Sequence, residues 1–365
     1  MITIQHPVSF SADYPLKRLG PADNLLFFDI ETTGFSPASS SLYLIGCIFY
    51  DRSAACWTLI QWFADSPEAE PECLEAFFSM TREKTVLVHF NGDTFDLPYL
   101  AGRARHYSIP LDLSHTKSID IFRRIRPCRK LLGMNSMKLS AVEQFLGIRR
   151  EDQYSGGQLI QVYTDYLTSQ SPARLHLLLL HNEDDLKGMA AILPVLSYPD
   201  MLHEGGTFSG SSLLSPEEAN DFSENPVLQM DFAGSWRIPV PLSHTVSGTK
   251  LSFRDSSIRC LIPLYRGCLK YFFPDYENYY YLPAEDMAVH KSIGAYMAKS
   301  ARKKATARTC YTKKEGLFIP QPKRIWEPEF REEYGSPISY AAWTPELLSD
   351  PEKASDYLKL LLEQI

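Results

Sequence analysis

Acidic residues recur in this 365-residue sequence at places where a strand or helix should end. The first is Asp29-Ile30-Glu31, closing the apolar run Leu25–Ile30. Side chains two apart on a strand share a face, so Asp29 and Glu31 point together while Ile30 turns to the core. Two carboxylates held that close repel one another unless a cation neutralises them. Thr32-Thr33-Gly34 follows as a tight exit where backbone can approach a ligand. A second acid, Asp96, closes Asn91-Gly92-Asp93-Thr94-Phe95-Asp96, at the junction of a buried strand and a helix. Asp93 is the expected helix cap there, which leaves Asp96 available. The third place is His181-Asn182-Glu183-Asp184-Asp185, inside a helix that begins near Ala173. His181 and Asp185 are one helical turn apart and share a face, whereas Glu183 and Asp184 point elsewhere.

Carboxylate oxygens suit hard divalent cations such as Mg²⁺ or Mn²⁺. Asp29, Glu31, Asp96 and Asp185 could together hold two ions about 4 Å apart, the arrangement for in-line attack on a phosphodiester. A histidine beside them could orient or deprotonate the attacking water. Each piece alone has a plainer reading: a solvated strand end, a helix cap, a surface His–Asp pair. Their occurrence together, in this order, favours a metal site.

The elements that must position these acids follow from periodicity. Leu25–Ile30, Leu42–Tyr50 and Cys56–Phe63 read as three antiparallel strands, and 71–80 as a helix. Thr85–Phe90 is a buried fourth strand stopped by Asn91-Gly92. Helices are expected over 96–107, 137–146, 159–167 and 173–193. That order predicts an α/β mixed sheet flanked by helices, occupying residues 1–200. Residues 201–224, rich in Gly, Ser and Pro, read as a linker. Residues 225–365 read as a smaller strand-rich α+β accessory domain. A helix is expected near 284–297, a hairpin over 306–320 turning at Lys314-Glu315-Gly316, and a closing helix near 345–364.

FDIETTGF, NGDTFDLPYL and HNEDD, in this order and spacing, resemble the three exonuclease motifs of the DEDD superfamily. The stretch MKLSAVEQFLGIRREDQYSGGQLIQVYTDYL also resembles its YprB-type ribonuclease-H-like domain, and the likeness covers about residues 22–197. It implies a ribonuclease-H-like fold and a metal-dependent 3'→5' exonuclease acting on a single-stranded end of DNA or RNA. Two Mg²⁺ or Mn²⁺ ions would sit on Asp29, Glu31, Asp96 and Asp185. One departure stands out. The superfamily's third motif carries tyrosine with three residues before the acid, or histidine with four. Here His181 occupies the tyrosine register, and Leu180 stands where the other form has histidine.

Substrate contacts are expected from Thr32, Thr33, Phe35, Asn91, Arg123 and Arg124. Arg123, Arg124, Arg126, Arg129 and Lys130 place five basic residues within eight, either a solvated helix face or a phosphate-contacting patch that Lys138, Arg149 and Arg150 extend. Phe35 and Phe95 beside the motif acids could stack on a terminal base. Asp120 reads as a strand-end or turn acid near the site, not a ligand. In the C-terminal region ten Lys or Arg between Met287 and Trp326 face one acid, Glu315, next to the aromatic stretch 271–281. That pairing is read either as a single-strand-binding surface or as the packed face of a small sheet.

Composition bounds the rest. With 44% hydrophobic and 22% charged residues the chain is globular, which excludes disorder, collagen and coiled coil. No apolar run approaches a membrane span, and MITIQHPVSFSADYPLKRLG has neither the apolar core nor the cleavage site of a secretory leader. Seven cysteines without a CxxC pair argue against zinc ribbons and disulfide scaffolds and suit the cytoplasm. A net charge of -7 argues against coating nucleic acid by bulk charge, but not against local binding through metal ions. Two other functions fit: a nucleic-acid-binding module with a silent site, separable by metal titration, and a structure-specific endonuclease, separable by a circular substrate.

Overall fold

The computed structural model describes residues 1–10, 13–149, 156–219 and 224–365. Arg150 and residues 220–223 of the expected linker lie outside them. The chain divides into two compact units, Met1–Pro199 with Arg237–Val240, and Asp200–Trp236 with Pro241–Ile365.

The first unit is built on a six-stranded mixed sheet. Its strands are β1 (Ile2–Pro7), β2 (Leu25–Thr32), β3 (Leu42–Asp51), β4 (Cys56–Phe63), β5 (Val86–His89) and β6 (Lys117–Asp120), in the order β1-β4-β3-β2-β5-β6. β1 to β4 and β2 to β3 pair antiparallel, as do β3 and β4; β5 lies parallel to both β2 and β6. The α/β class and the three-strand meander match expectation. β1 is an addition, and β6 is the strand whose end Asp120 marks.

Helices cover both faces. On one, Leu26, Phe28 and Ile30 pack with Leu74, Phe77 and Leu100 of helices α1 (Glu70–Glu83) and α2 (Asp96–His106). On the other, Tyr43 and Phe63 pack with Tyr163 and Tyr166 of α5 (Gly156–Ser169) and Leu178 of α6 (Pro172–Ala191). Burying each such side chain stabilises by roughly 1.5–3 kcal/mol, so these layers fix the sheet between the helices. Short helices α3 (Ile121–Ile125) and α4 (Leu139–Phe145) follow β6, and α7 (Ser197–Glu204) follows α6. A buried ion pair, Arg103 with Glu70, ties α2 to α1. Glu70 also accepts from the Leu42 N–H and the Tyr107 hydroxyl, so its charge is fully partnered.

The second unit carries three antiparallel assemblies. β7 (Thr207–Leu214), β8 (Val227–Val246) and β9 (Thr249–Pro263) form one. β10 (Tyr265–Phe272), β14 (Tyr311–Gln321), β16 (Ser339–Ala342) and β15 (Glu329–Phe330) form the second. β11 (Tyr279–Leu282), β12 (Met287–His290) and β13 (Lys303–Lys304) form the third. α8 (Lys291–Gly294) is a single turn, and α9 (Pro351–Leu362) is the expected closing helix.

Three expectations are corrected here. The described part of 201–224 is not an open linker, because β7 pairs with β8 from Thr207↔Ala233 to Leu214↔Val227 and Phe208 packs on Phe232. The helix at 284–297 is replaced by a hairpin, β11 to β12, turned by Asp286 in the left-handed region at φ 48°. The hairpin at 306–320 is one continuous strand, β14, sandwiched between β10 and β16.

Candidate active site

β2 runs past its last pairing with β5 at Phe27, so its end projects beyond the neighbouring strand. Ile30 faces α1 and α2, and its backbone lies near enough to the Asp96 carboxyl, at the first residue of α2, to hold its pKa down against burial. From the opposite face α6 approaches with His181, Asn182 and Asp185. Nε2 of His181, which is 6% exposed, lies 3.7 Å from Glu31 Oε1 and 3.7 Å from Asp185 Oδ2. Glu31, His181 and Asp185 offer ligand atoms all within 4.8 Å of one another. Glu183 instead pairs with His6 and Lys187, as its helical position dictates.

Two bonds hold Asp29 and Glu31 from behind. Asn182 Nδ2 donates to Asp29 Oδ2 at 3.0 Å, and Asn182 Oδ1 accepts from Gln61 Nε2 of β4 at 3.0 Å. Gly46 of β3, opposite Asp29 in the ladder, makes this possible: a Cβ there would lie 1.9 Å from Asn182 Oδ1. The Tyr43 hydroxyl donates to Glu31 Oε2 at 3.4 Å, its ring stacked on Tyr163 at 4.4 Å. Asn182, Gln61, Gly46 and Tyr43 were not singled out from sequence. Only adjacency to His181 marked Asn182.

The electrostatics are those of acids lacking a counter-charge. Burial raises the Asp29 carboxyl well above its usual range, and Asp185, Glu31 and Asp96 add to the effect. Burial also pushes Glu31 up to about 7, against the pull of His181. Asp96 rises to about 7 through burial, opposed by its own and the Ile30 N–H. Among the described residues no Lys or Arg pairs with Asp29, Glu31 or Asp96. An all-carboxylate donor set with one imidazole, desolvated and short of positive charge, fits a hard divalent cation.

Residues 26–197 match the model of a family in the RNase H superfamily. That stretch is RNase H-like in fold, a mixed sheet flanked by helices. Over 176 residues the chain is 31% identical to "Uncharacterized protein YprB" of Bacillus subtilis (strain 168), covering 47% of this chain and 41% of that protein. A 105-residue stretch is 34% identical to a DNA polymerase of Pyrococcus glycovorans, covering 26% of this chain and 13% of that one. The chain thus spans less than half the length of these curated relatives. Among solved structures, the family B DNA polymerase of Pyrobaculum calidifontis aligns with a TM-score of 0.37 at 13% identity, over 70% of this chain and 35% of that one.

The same unit holds a second histidine–acid group, His89, Asp93 and Asp120, also within 4.8 Å. Its atoms are already partnered. Asp120, ending β6, accepts from the backbone N–H groups of Asn91, Asp93 and Arg123. His89 Nδ1 accepts from the Gly92 N–H, and Nε2 bonds Ser118 Oγ at 2.8 Å. Asp93 bonds Ser118 and Arg123 and does not cap α2, whose first turn has no side-chain cap. The group clamps the turn 91–95 that delivers Asp96. Asn91 sits in that turn in the left-handed region, at φ 67°.

The other expected contacts spread around this centre. Phe35 is 92% exposed and meets the half-buried Phe95 edge-on at 6.1 Å. Thr32 Oγ1 donates to Gly34 O, and Thr33 Oγ1 accepts from the Ser41 N–H, so both hydroxyls close the loop after β2. Arg123 is paired with Asp93, and Arg124 is half-buried. In the second unit the basic run is divided: Lys313 pairs with Asp286, Lys323 with Glu363 and Arg324 with Glu327. Tyr279 and Tyr281 pack around Cys310, the sheet-face reading of that aromatic stretch. All seven cysteines are free. No helix among the described residues is long and apolar enough to cross a membrane.

Proposed function

We propose that the chain is a divalent-metal-dependent nuclease, a 3'→5' exonuclease working on a single-stranded end of DNA or RNA. One observation carries the reading: carboxylates from β2, α2 and α6 converge, and no Lys or Arg of the described residues offsets Asp29, Glu31 or Asp96. Asp29, Glu31, Asp96 and Asp185 would hold two ions, Mg²⁺ or Mn²⁺. Bound there, such ions supply Lewis acidity for in-line attack of water on a phosphodiester. His181 Nε2, facing both Glu31 and Asp185, is the group to orient that water and take its proton. The Tyr43 hydroxyl and Asn182 amide fix the rotamers of Glu31 and Asp29, so the donor set is preorganised. Phe35, exposed beside the second motif, is placed to stack on a terminal base. We assign this chemistry to residues 1–200 and treat 225–365 as an accessory domain.

A time course on 5'-labelled and 3'-labelled DNA and RNA oligomers with Mg²⁺ or Mn²⁺ tests the reading. Mononucleotides released from the 3' end are the expected product. Cleavage of a circular single strand would replace the exonuclease by an endonuclease. No hydrolysis alongside tight ion binding would overturn the nuclease.

A further inference from the structure

A groove of about 510 Å³ opens where β5 meets the turn 91–95, lined by Phe90, Phe122, Arg126, Arg129 and Lys138 beside Asn91. Its floor is aromatic: the half-buried rings of Phe90 and Phe122 lie 5.8 Å apart and tilted by 61°. Its rim is cationic. Arg126, Arg129 and Lys138 are exposed, and no carboxylate of the described residues pairs with any of them. Arg129 is also held in place, Nε donating to Met134 O at 3.1 Å and Nη2 to Asn135 O at 2.7 Å. That clamp fixes a positive charge at the groove wall with little conformational freedom left to lose.

Aromatic faces below fixed cations select a flat ring that carries an anion. The volume lies within the range of small-ligand sites. Resting on the nuclease reading of the neighbouring acids, we propose that this groove seats one unpaired nucleotide of the substrate strand. Its base lies against Phe90 and Phe122, and its phosphates face Arg126, Arg129 and Lys138. Asn91 belongs both to the groove and to the turn that ends at Asp96, so the seated nucleotide is close along the strand to the bond being cut. A duplex hides its base faces in the stack and is excluded, whereas DNA and RNA single strands both offer the required ring and phosphate.

The test uses the full chain with a fluorescent 12-mer as single-stranded DNA, as single-stranded RNA and as duplex, titrated in EDTA so that no cutting occurs. The double variant Arg126→Ala with Lys138→Ala should weaken single-strand binding by about tenfold or more. It should also lower the slope of log K against log[salt] by about 1.4, that is about 0.7 per lost phosphate contact. Phe122→Ala should weaken binding on the order of tenfold with the slope unchanged, since stacking releases no counterion. The two cations are exposed, so their variant reads the groove even if Phe122→Ala fails to fold. Wild-type affinity and slope in the double variant, or duplex bound as well as single strand, would overturn the proposal. Hydrolysis of the p-nitrophenyl ester of thymidine 5'-monophosphate by the wild-type chain is read separately. Its absence, with the same binding losses, would sink the chemistry assigned to the acids and leave the groove as a single-strand seat.

Discussion

Glu31, His181 and Asp185 on one hand, and His89, Asp93 and Asp120 on the other, each gather one histidine and two acids within 4.8 Å. Their partners differ. Asp120 collects three backbone N–H groups, His89 has both ring nitrogens bonded, and Asp93 meets Ser118 and Arg123. Around Glu31 stand further carboxylates, with a tyrosine hydroxyl and one imidazole. A histidine–acid cluster is therefore not diagnostic in itself. What marks the site is that Asp29, Glu31 and Asp96 are buried beside one another with no Lys or Arg of the described residues against them.

Removing a carboxylate from the candidate site should give the largest effect. Asp29→Ala or Asp185→Ala should lower hydrolysis by at least about 10³-fold, and the Asp29 variant should hold or raise the thermal midpoint because it deletes a buried acid crowded by like charges. Turnover near wild type in either variant would remove it from the site. His181→Ala comes next, with a loss of about 10²–10⁴ in kcat and ion affinity largely kept. A loss below tenfold would mean that another group handles the water. His181→Tyr then asks whether a phenol can serve in this register.

Protons supply a third comparison. Glu31 and Asp96 stay protonated up to about 7 in the metal-free fold but titrate near 4 when unfolded. The metal-free protein should thus lose stability as pH rises from about 4 to about 7, the interval in which the folded state holds more protons. Divalent ions must expel those protons, so affinity should climb by up to about tenfold per pH unit for each one released, levelling off above about 7. Mn²⁺ titration calorimetry at pH 5.5, 6.5 and 7.5 measures it; an affinity independent of pH would contradict the buried, protonated pair. The smallest effect belongs to the satisfied group. Asp120→Ala should cost about 1–3 kcal/mol in urea unfolding by orphaning backbone donors. An unchanged midpoint would show that the turn needs no clamp.

Much of this was legible because the three motifs sit at element ends that periodicity marks well. Asp29 and Glu31 alternate with a core isoleucine, and Asp96 opens a helix after an apolar strand. The supports were illegible because they act across the chain. Gln61 and Asn182 are 121 residues apart, and nothing local says that an amide in one holds an amide in the other. In the second unit, turn-forming residue types misled. Glu315-Gly316 looks like a hairpin turn, yet Gly316 is paired with Gly267 in mid-strand. The turn joining β8 to β9 is Ser247-Gly248, with both residues at positive φ, the geometry that tight hairpins require. Between β11 and β12 a longer connection turns with Asp286 alone at positive φ, although Ala284 and the residues after it favour a helix locally.

Gly46 carries no side chain to the site, yet its missing methyl leaves the room that Asn182 of α6 occupies against the sheet. The spacing of the acids on β2 relative to those on α6 is thus adjusted from a strand that contributes no ligand. Gly46→Ala would act as a wedge, levering Asn182 and its helix outward while leaving every carboxylate in the sequence. For engineering, this offers a way to detune the reaction without altering the charge that a substrate strand meets.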